Sequence, residues 1–288
     1  MVIVARVKKY VVMAAFFLSL IPFTHSHASE DMDVHFIDVG QGDSMFIETP
    51  SRQNILIDGG PPEAGEKVVK YLKERGIDQL DLLIVTHPDK DHIGGLVQVM
   101  DDLTIKKVID SGKIHTTKTY EKYIDRLNKY NIPVEVAKED DYILSDDELT
   151  IEVLNSYQLA KSNNDSSIVL KIHYKDVRFL LLGDVERREE KRLTNIENLD
   201  ADIIKVAHHG SKTSSAIDFL HHVHPQIAIL TYSKNNEFGH PVNRVIRNLN
   251  KVNALIYSTA VFGDIVIQTD GSDYFIFPEK SPVDSLFE

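Results

Sequence analysis

The sequence contains no cysteine, which excludes disulfides, thiolate metal ligands and a cysteine nucleophile. That absence does not argue against secretion. Positive charge is also scarce: 44 acidic residues outnumber 32 basic ones, for a formal net charge of −12. This balance disfavours broad, nonspecific binding to duplex nucleic acid, which needs a positive surface. A phosphodiester substrate stays open, because bound cations reverse the local field. Walker loop, dinucleotide fingerprint and Gly-x-Ser-x-Gly elbow are all missing. No internal composition break marks a linker, so the chain reads as one domain. The longest apolar run, Val11 to Phe23, follows Arg6, Lys8 and Lys9. It is short for a membrane span and suits the core of a signal peptide. Ser26-His27-Ala28 places cleavage after Ala28, giving a leader over 1–28 and a secreted protein. An uncleaved anchor holding the chain at the cell surface is the alternative.

What the sequence does have is a dense cluster of potential metal ligands. Thr86-His87-Pro88-Asp89-Lys90-Asp91-His92-Ile93-Gly94-Gly95 follows an apolar run, Leu80 to Val85, that reads as a buried strand. His87 and Asp89 alternate and point one way from an extended loop; Asp91 and His92 point differently and suit a second ion. Gly94-Gly95 lets the backbone turn closely beneath such a site.

Other strand ends carry polar turns of their own. Asp38-Val39-Gly40-Gln41-Gly42-Asp43-Ser44 reads as a hairpin turn, with Asp43 satisfying backbone amides. Asn54 to Ile57 ends in Asp58-Gly59-Gly60, and Val177 to Leu182 ends in Gly183-Asp184. Asp184 also suits the N-cap of a helix over 186–193. Ile203 to Val206 leads into His208-His209-Gly210-Ser211, where one histidine can bind metal, or a histidine and Ser211 can hold a phosphate or protonate a leaving group. His173 reads as an ordinary strand residue. His221, His222 and His224 close a helix, where cations are favoured. The alternation of strands and helices in two halves predicts two sheets sandwiched between helices.

His-x-Asp-x-Asp-His-x-Gly-Gly resembles the metallo-β-lactamase signature His-x-His-x-Asp-His, with Asp89 in place of the second histidine. Together with Asp38-Val39-Gly40-Gln41-Gly42-Asp43, Lys205-x-x-His208-His209-Gly-Ser211 and Phe238-Gly239-His240-Pro241, it is similar to the hydrolase domain of ComEC-type competence proteins. The resemblance covers residues 32–277, leaving a tail at 278–288, and implies a single-domain, four-layer αββα sandwich. It implies that Asp58 braces the metal loop, that Asp184 bridges two ions, and that His240 is the last ligand of the second. One ion would take His87, Asp89 and Asp184; the other Asp91, His92, Asp184 and His240. The superfamily's usual histidine near 163–167 is missing, and Asn164 or water takes its place. The oxygen-rich set predicts zinc or manganese, with magnesium admissible.

In the mechanism these features predict, the ions activate a water, Asp91 orients it, and His208 or His209 protonates the leaving oxygen. Lys205, Asn164 and Ser211 are expected to meet substrate, with Asp43 and Asp58 behind the ligands. The resemblance implies a phosphodiesterase, with single-stranded DNA as one substrate. The alternatives are hydrolysis of another ester, such as a phosphorylcholine ester or a lactone, and a non-catalytic protein that binds metal or polymer.

Overall fold

The computed structural model describes residues 31–158 and 162–281. The expected leader over 1–28 lies outside the described residues, as does the tail from 282 onward. No helix among the described residues is long and apolar enough to cross a membrane.

Two mixed sheets form the centre. The first has eight strands in the spatial order Tyr274–Pro278, Ile265–Thr269, Met32–Phe36, Met45–Glu48, Asn54–Ile57, Leu82–Val85, Val108–Asp110, Val134–Val136. The second has seven, in the order Leu255–Ser258, Ile227–Leu230, Ile203–Lys205, Val177–Leu181, Val169–Tyr174, Leu149–Asn155, Tyr142–Ser145. In the first sheet the strands from Tyr274–Pro278 to Asn54–Ile57 pair antiparallel, and Ile265–Thr269 alternates buried with half-buried positions, as expected of a strand with one covered face. The inner parallel strands are covered on both faces, so Leu82–Val85 and Ile227–Leu230 are buried at every position.

The apolar residues sort into three layers. Phe36, Ile57, Ile84, Ile151, Phe179 and Ile229 fill the space between the sheets. Leu56, Val68, Leu72, Leu83, Leu96 and Tyr123 pack helices Gly65–Lys73, Leu96–Asp102 and Lys118–Lys129 onto the first sheet. Leu180, Leu193, Phe219, Val245 and Leu249 pack Arg187–Leu193, Ile217–Val223 and Asn243–Lys251 onto the second. This is the four-layer αββα sandwich predicted from the sequence. The strand Val134–Val136 was not foreseen: three residues at a sheet edge, all exposed, carry no burial pattern to read.

The parallel strands Leu82–Val85, Ile203–Lys205 and Ile227–Leu230, with their neighbour Val177–Leu181, release their loops at one edge. The loop after Leu82–Val85 is seated tightly there. Gly95 has an ordinary helical backbone (φ −73°), yet a Cβ placed on it would lie 2.0 Å from the Gly59 carbonyl oxygen. The neighbour is backbone and cannot yield. Gly95→Ala is expected to lower stability by about 2 kcal/mol, read as a shift in the urea midpoint without a change in slope.

Candidate metal centre

The loop Thr86–Asp89 and the short helix Lys90–Ile93 bring His87 and His92 side by side, ring centroids 4.0 Å apart. The turn after Val177–Leu181 sets Asp184 beneath them. A 3-10 turn, Ala207–Gly210, brings in His209 from the second sheet. All four side chains are buried.

The hydrogen bonds around these imidazoles fix which nitrogen faces inward. His92 Nδ1 donates to Asp58 Oδ2 at 2.7 Å. His209 Nδ1 donates to the Thr231 carbonyl at 2.7 Å. Thr86 Oγ1 donates to Asp58 Oδ2 at 2.5 Å, so it is left to accept from His87 Nδ1 at 3.1 Å. Each ring therefore spends its Nδ1 on an outer partner and turns Nε2 to the middle, the arrangement that orients metal-binding histidines. The Nε2 atoms of His87, His92 and His209 are buried and make no hydrogen bond, and neither does Asp184 Oδ1. Asp184 Oδ2 lies 3.9, 3.4 and 3.5 Å from those three Nε2 atoms. Ligand atoms around one tetrahedral ion with bonds of about 2.1 Å sit roughly 3.4 Å apart. Asp91 Oδ2 is 3.5 Å from His209 Nε2 and is open to solvent on one side. Sets of three ligand atoms within 4.8 Å of one another include His87, His92 and Asp184, and also Asp91, His92 and His209. The donors fit a divalent cation site.

Burial and the neighbouring charges shift these groups in opposite directions. Burial penalises the charge on Asp184, but His209 and His92 outweigh it and hold the carboxylate well below its ordinary pKa. Burial likewise opposes charge on His92, yet Asp184 and Asp58 raise its pKa well above the usual imidazole value. His209 is raised in the same way by Asp184 and Asp43 against burial, while burial and the charge on His92 push His87 well below. Asp91, despite burial, is lowered by the His209 ring 3.5 Å away and by the charge on His92.

The remaining expected residues are distributed as follows. Asp89 Oδ2 lies 3.7 Å from His87 Nε2, and Asp89 Oδ1 accepts from Asn163 Nδ2 at 2.7 Å. His208 sits at the mouth, one-fifth exposed, with Nε2 3.8 Å from Asp184 Oδ2 and Nδ1 3.8 Å from Glu186 Oε1. Asn164 Nδ2 is 3.4 Å from His208 Nδ1. Ser211 is buried and faces Thr213 Oγ1 at 3.1 Å. His240 enters none of the ligand groups among the described residues. It packs edge-on against His208, ring centroids 5.6 Å apart, and burial with the charges of His208 and His209 lowers its pKa to about 4.

Two expectations need correction. Lys205 cannot meet substrate: it is fully buried, with its ammonium on Asp43 Oδ2 and 3.1 Å from the Gly183 carbonyl. Asp43 does not serve backbone amides of its own turn. Its carboxylate crosses to the second half of the fold, taking the Lys205 ammonium and a 2.6 Å bond from Thr231 Oγ1. Its backbone stays within the first half, donating to the Asp91 carbonyl at 3.2 Å and accepting from Gly60 N at 2.7 Å. Thr231 and Ser167, which touches His87 Nδ1 at 3.3 Å and accepts from Asp184 N at 3.1 Å, were missed. A lone Thr or Ser at a strand end gives no signal for such a role.

Behind His208 and His209, the loop Ser211–Ala216 is clamped by Glu190 and Arg244. Glu190 accepts from the amides of Ser215 and Ala216, the latter at 2.9 Å, and Arg244 donates to the Ser215 carbonyl at 3.0 Å. Burial pushes the Glu190 carboxyl up to about 7 against those amide bonds. Between its unfolded value of 4.5 and about 7 the folded chain holds a proton that the unfolded chain has released. Glu190 therefore favours folding most below pH 4.5, and that contribution is lost as pH rises through 7. The stability difference between wild type and Glu190→Gln is expected to shift against wild type by about 2 kcal/mol between pH 5 and pH 8, read by urea titration at both.

A sandwich of two sheets whose loops pool buried histidines and aspartates at one edge defines the class of metal-dependent hydrolases of this architecture. The chain belongs to the metallo-β-lactamase superfamily, whose family model matches residues 37–232. Within it the chain is related to competence proteins. It is 34% identical over 263 residues to ComE operon protein 3 of Bacillus subtilis, covering 84% of this chain and 34% of that one. It is 28% identical over 212 residues to competence protein ComA of Neisseria gonorrhoeae, covering 72% of this chain and 28% of that one. It thus spans about a third of the length of these curated relatives. Among solved structures, YhfI of Bacillus subtilis, a metallo-β-lactamase fold protein, superposes with a TM-score of 0.55 at 13% identity, covering 83% of this chain and all of that one. CmlA, a diiron β-hydroxylase from Streptomyces venezuelae, superposes with a TM-score of 0.51 at 11% identity, covering 79% of this chain and 52% of that one. These two share the fold.

Proposed function

We propose that this chain is an exported, metal-dependent phosphodiesterase that cleaves single-stranded DNA. The observation that carries the reading is the convergence of three orphaned Nε2 atoms on one buried carboxylate, with a part-exposed aspartate beside them. His87, Asp89 and Asp184 would hold one ion. Asp91, His92, Asp184 and His209 would hold the other, with His209 in the place first expected of His240. Three imidazoles and three carboxylates suit zinc or manganese.

Bound there, divalent ions would acidify a water and draw charge from the attacked phosphoryl group. The chain's own residues do the rest. Asp91, open to solvent, orients the attacking water. His208, at the mouth and supported by Thr213 Oγ1 at 3.3 Å from its Nδ1, passes a proton to the leaving oxygen. The wall of apolar strands behind Asp184 excludes bulk water and strengthens each of these interactions.

Purified protein loaded with manganese or zinc, its metal content verified, is expected to hydrolyse bis-p-nitrophenyl phosphate and to digest single-stranded DNA. EDTA should stop both. Loaded protein that leaves both substrates intact would sink the reading. Cleavage of the small ester without the DNA would restrict it to a small-ester hydrolase.

A further inference from the structure

The groove leading away from Asp91 is bordered by an aromatic ring that the fold leaves uncovered. Phe238 is 67% exposed. It stacks on the His240 ring, with centroids 5.6 Å apart and planes 24° from parallel. Both Phe238 and Asp91 line one groove of about 650 Å³, together with Gln41, Lys90, Ser233 and Asn235. Single exposed apolar side chains are ordinary on protein surfaces. This one differs because the loop beneath it is built. Asn236 Oδ1 accepts from Phe238 N at 3.1 Å and from His240 N at 2.9 Å, while Asn236 Nδ2 donates to the carbonyls of Ser233 at 2.7 Å and His240 at 2.6 Å. Ser233 N in turn donates to Gln41 Oε1 at 3.3 Å, tying the loop to the first half of the molecule. One side-chain amide thus holds the ring in place without covering it.

We propose that Phe238 is a specificity-determining residue, a platform on which a flat ring next to the scissile phosphodiester stacks. The proposal rests on the phosphodiesterase reading and narrows it to substrates that carry an unpaired base beside the cleaved bond. An aromatic face accepts any base, because every base has a π-face. A protein partner fits less well: no other exposed large apolar side chain lines this groove among the described residues, and stable interfaces bury roughly 1,600 Å². Lys90 is the lining cation, against Glu63, Asp91 and Glu237, so the groove offers little attraction to phosphates and stacking is the main contact it can add.

The test uses the metal-loaded protein and the dinucleotide TpT, beside the two versions in which one base is replaced by hydrogen. Wild type should cleave TpT about tenfold faster, in kcat/KM, than one of the two abasic versions. Phe238→Ala should remove that advantage by slowing TpT and the version that keeps the stacking base, without slowing the version that lacks it, while Phe238→Trp should keep it. Equal losses on all substrates, or no loss on any, would overturn the platform. Binding provides a readout independent of turnover. Wild type should bind thymidine 5′-monophosphate more tightly than deoxyribose 5-phosphate, and Phe238→Ala should weaken only the former. Should wild type cleave none of the dinucleotides yet show that preference in binding, the phosphodiesterase reading fails and the platform stands. Equal binding of the two probes by wild type overturns the platform whatever the turnover.

Discussion

Replacing Asp184 with alanine is expected to lower kcat/KM by more than about a thousandfold, roughly 4 kcal/mol of transition-state stabilisation, and to abolish stoichiometric metal uptake. The reason is central placement. Asp184 Oδ2 stands 3.4 to 3.9 Å from the Nε2 atoms of His87, His92, His208 and His209. Every ligand set proposed above includes it. The fold should survive the change. With the carboxylate gone, the largest of the charges that raise the pKa of His92 and of His209 is gone too, while Asp58 and Asp43 remain beside them. Metal content by mass spectrometry, activity and the thermal transition are read on one preparation. A variant that keeps its metal and most of its activity would contradict the site.

The second large effect concerns stability rather than turnover. Lys205→Met should cost about 3–5 kcal/mol, because it strands the Asp43 carboxylate in a fully buried place. That is a large share of the roughly 5–15 kcal/mol that holds a domain folded. Asp43→Leu strands the ammonium and should cost a similar amount. The double variant removes both charges and should lose clearly less than the two single losses combined, since oppositely charged partners in contact are coupled. Urea titration of the four proteins gives the cycle, and strict additivity would show that the pair is not coupled. Asp43 and Lys205 also border the metal centre, Asp43 Oδ1 at 3.5 Å from His209 Nδ1 and Lys205 Nζ at 3.8 Å from Asp184 Oδ1, and Thr231 links them further, bonding Asp43 by its hydroxyl and His209 by its carbonyl. Their loss should therefore loosen the His209 ring as well.

Much of the fold was legible because burial leaves a pattern. Leu82–Val85 throughout, and Val177–Leu181 from Phe179 onward, read as apolar strands because both faces are covered there, and the polar turns that end them mark where the loops gather. The helices showed in the spacing of Val68, Val69 and Leu72, and of Tyr123 and Leu127. The pairing of Asp43 with Thr231 was not legible, because it joins residues 188 positions apart and no local period reports it. Lys205 was misread because lysine is almost never fully buried without a partner, and its partner lies in the other half of the chain. His208 and His209 could not be told apart for a different reason. Both hold left-handed backbone, φ 52° at each, so neither helical nor strand periodicity says which ring turns inward. Only their partners do: the Thr231 carbonyl draws His209 in, while Thr213 and Glu186 hold His208 at the rim.

The account as a whole turns on where a metal sits. Crystals of the protein loaded with manganese or zinc, measured at the absorption edge of that metal, decide it by anomalous scattering. The account predicts density in contact with the Asp184 carboxylate and with Nε2 of both His92 and His209. Anomalous density confined to the surface, or none at this carboxylate at full metal occupancy elsewhere, would contradict it.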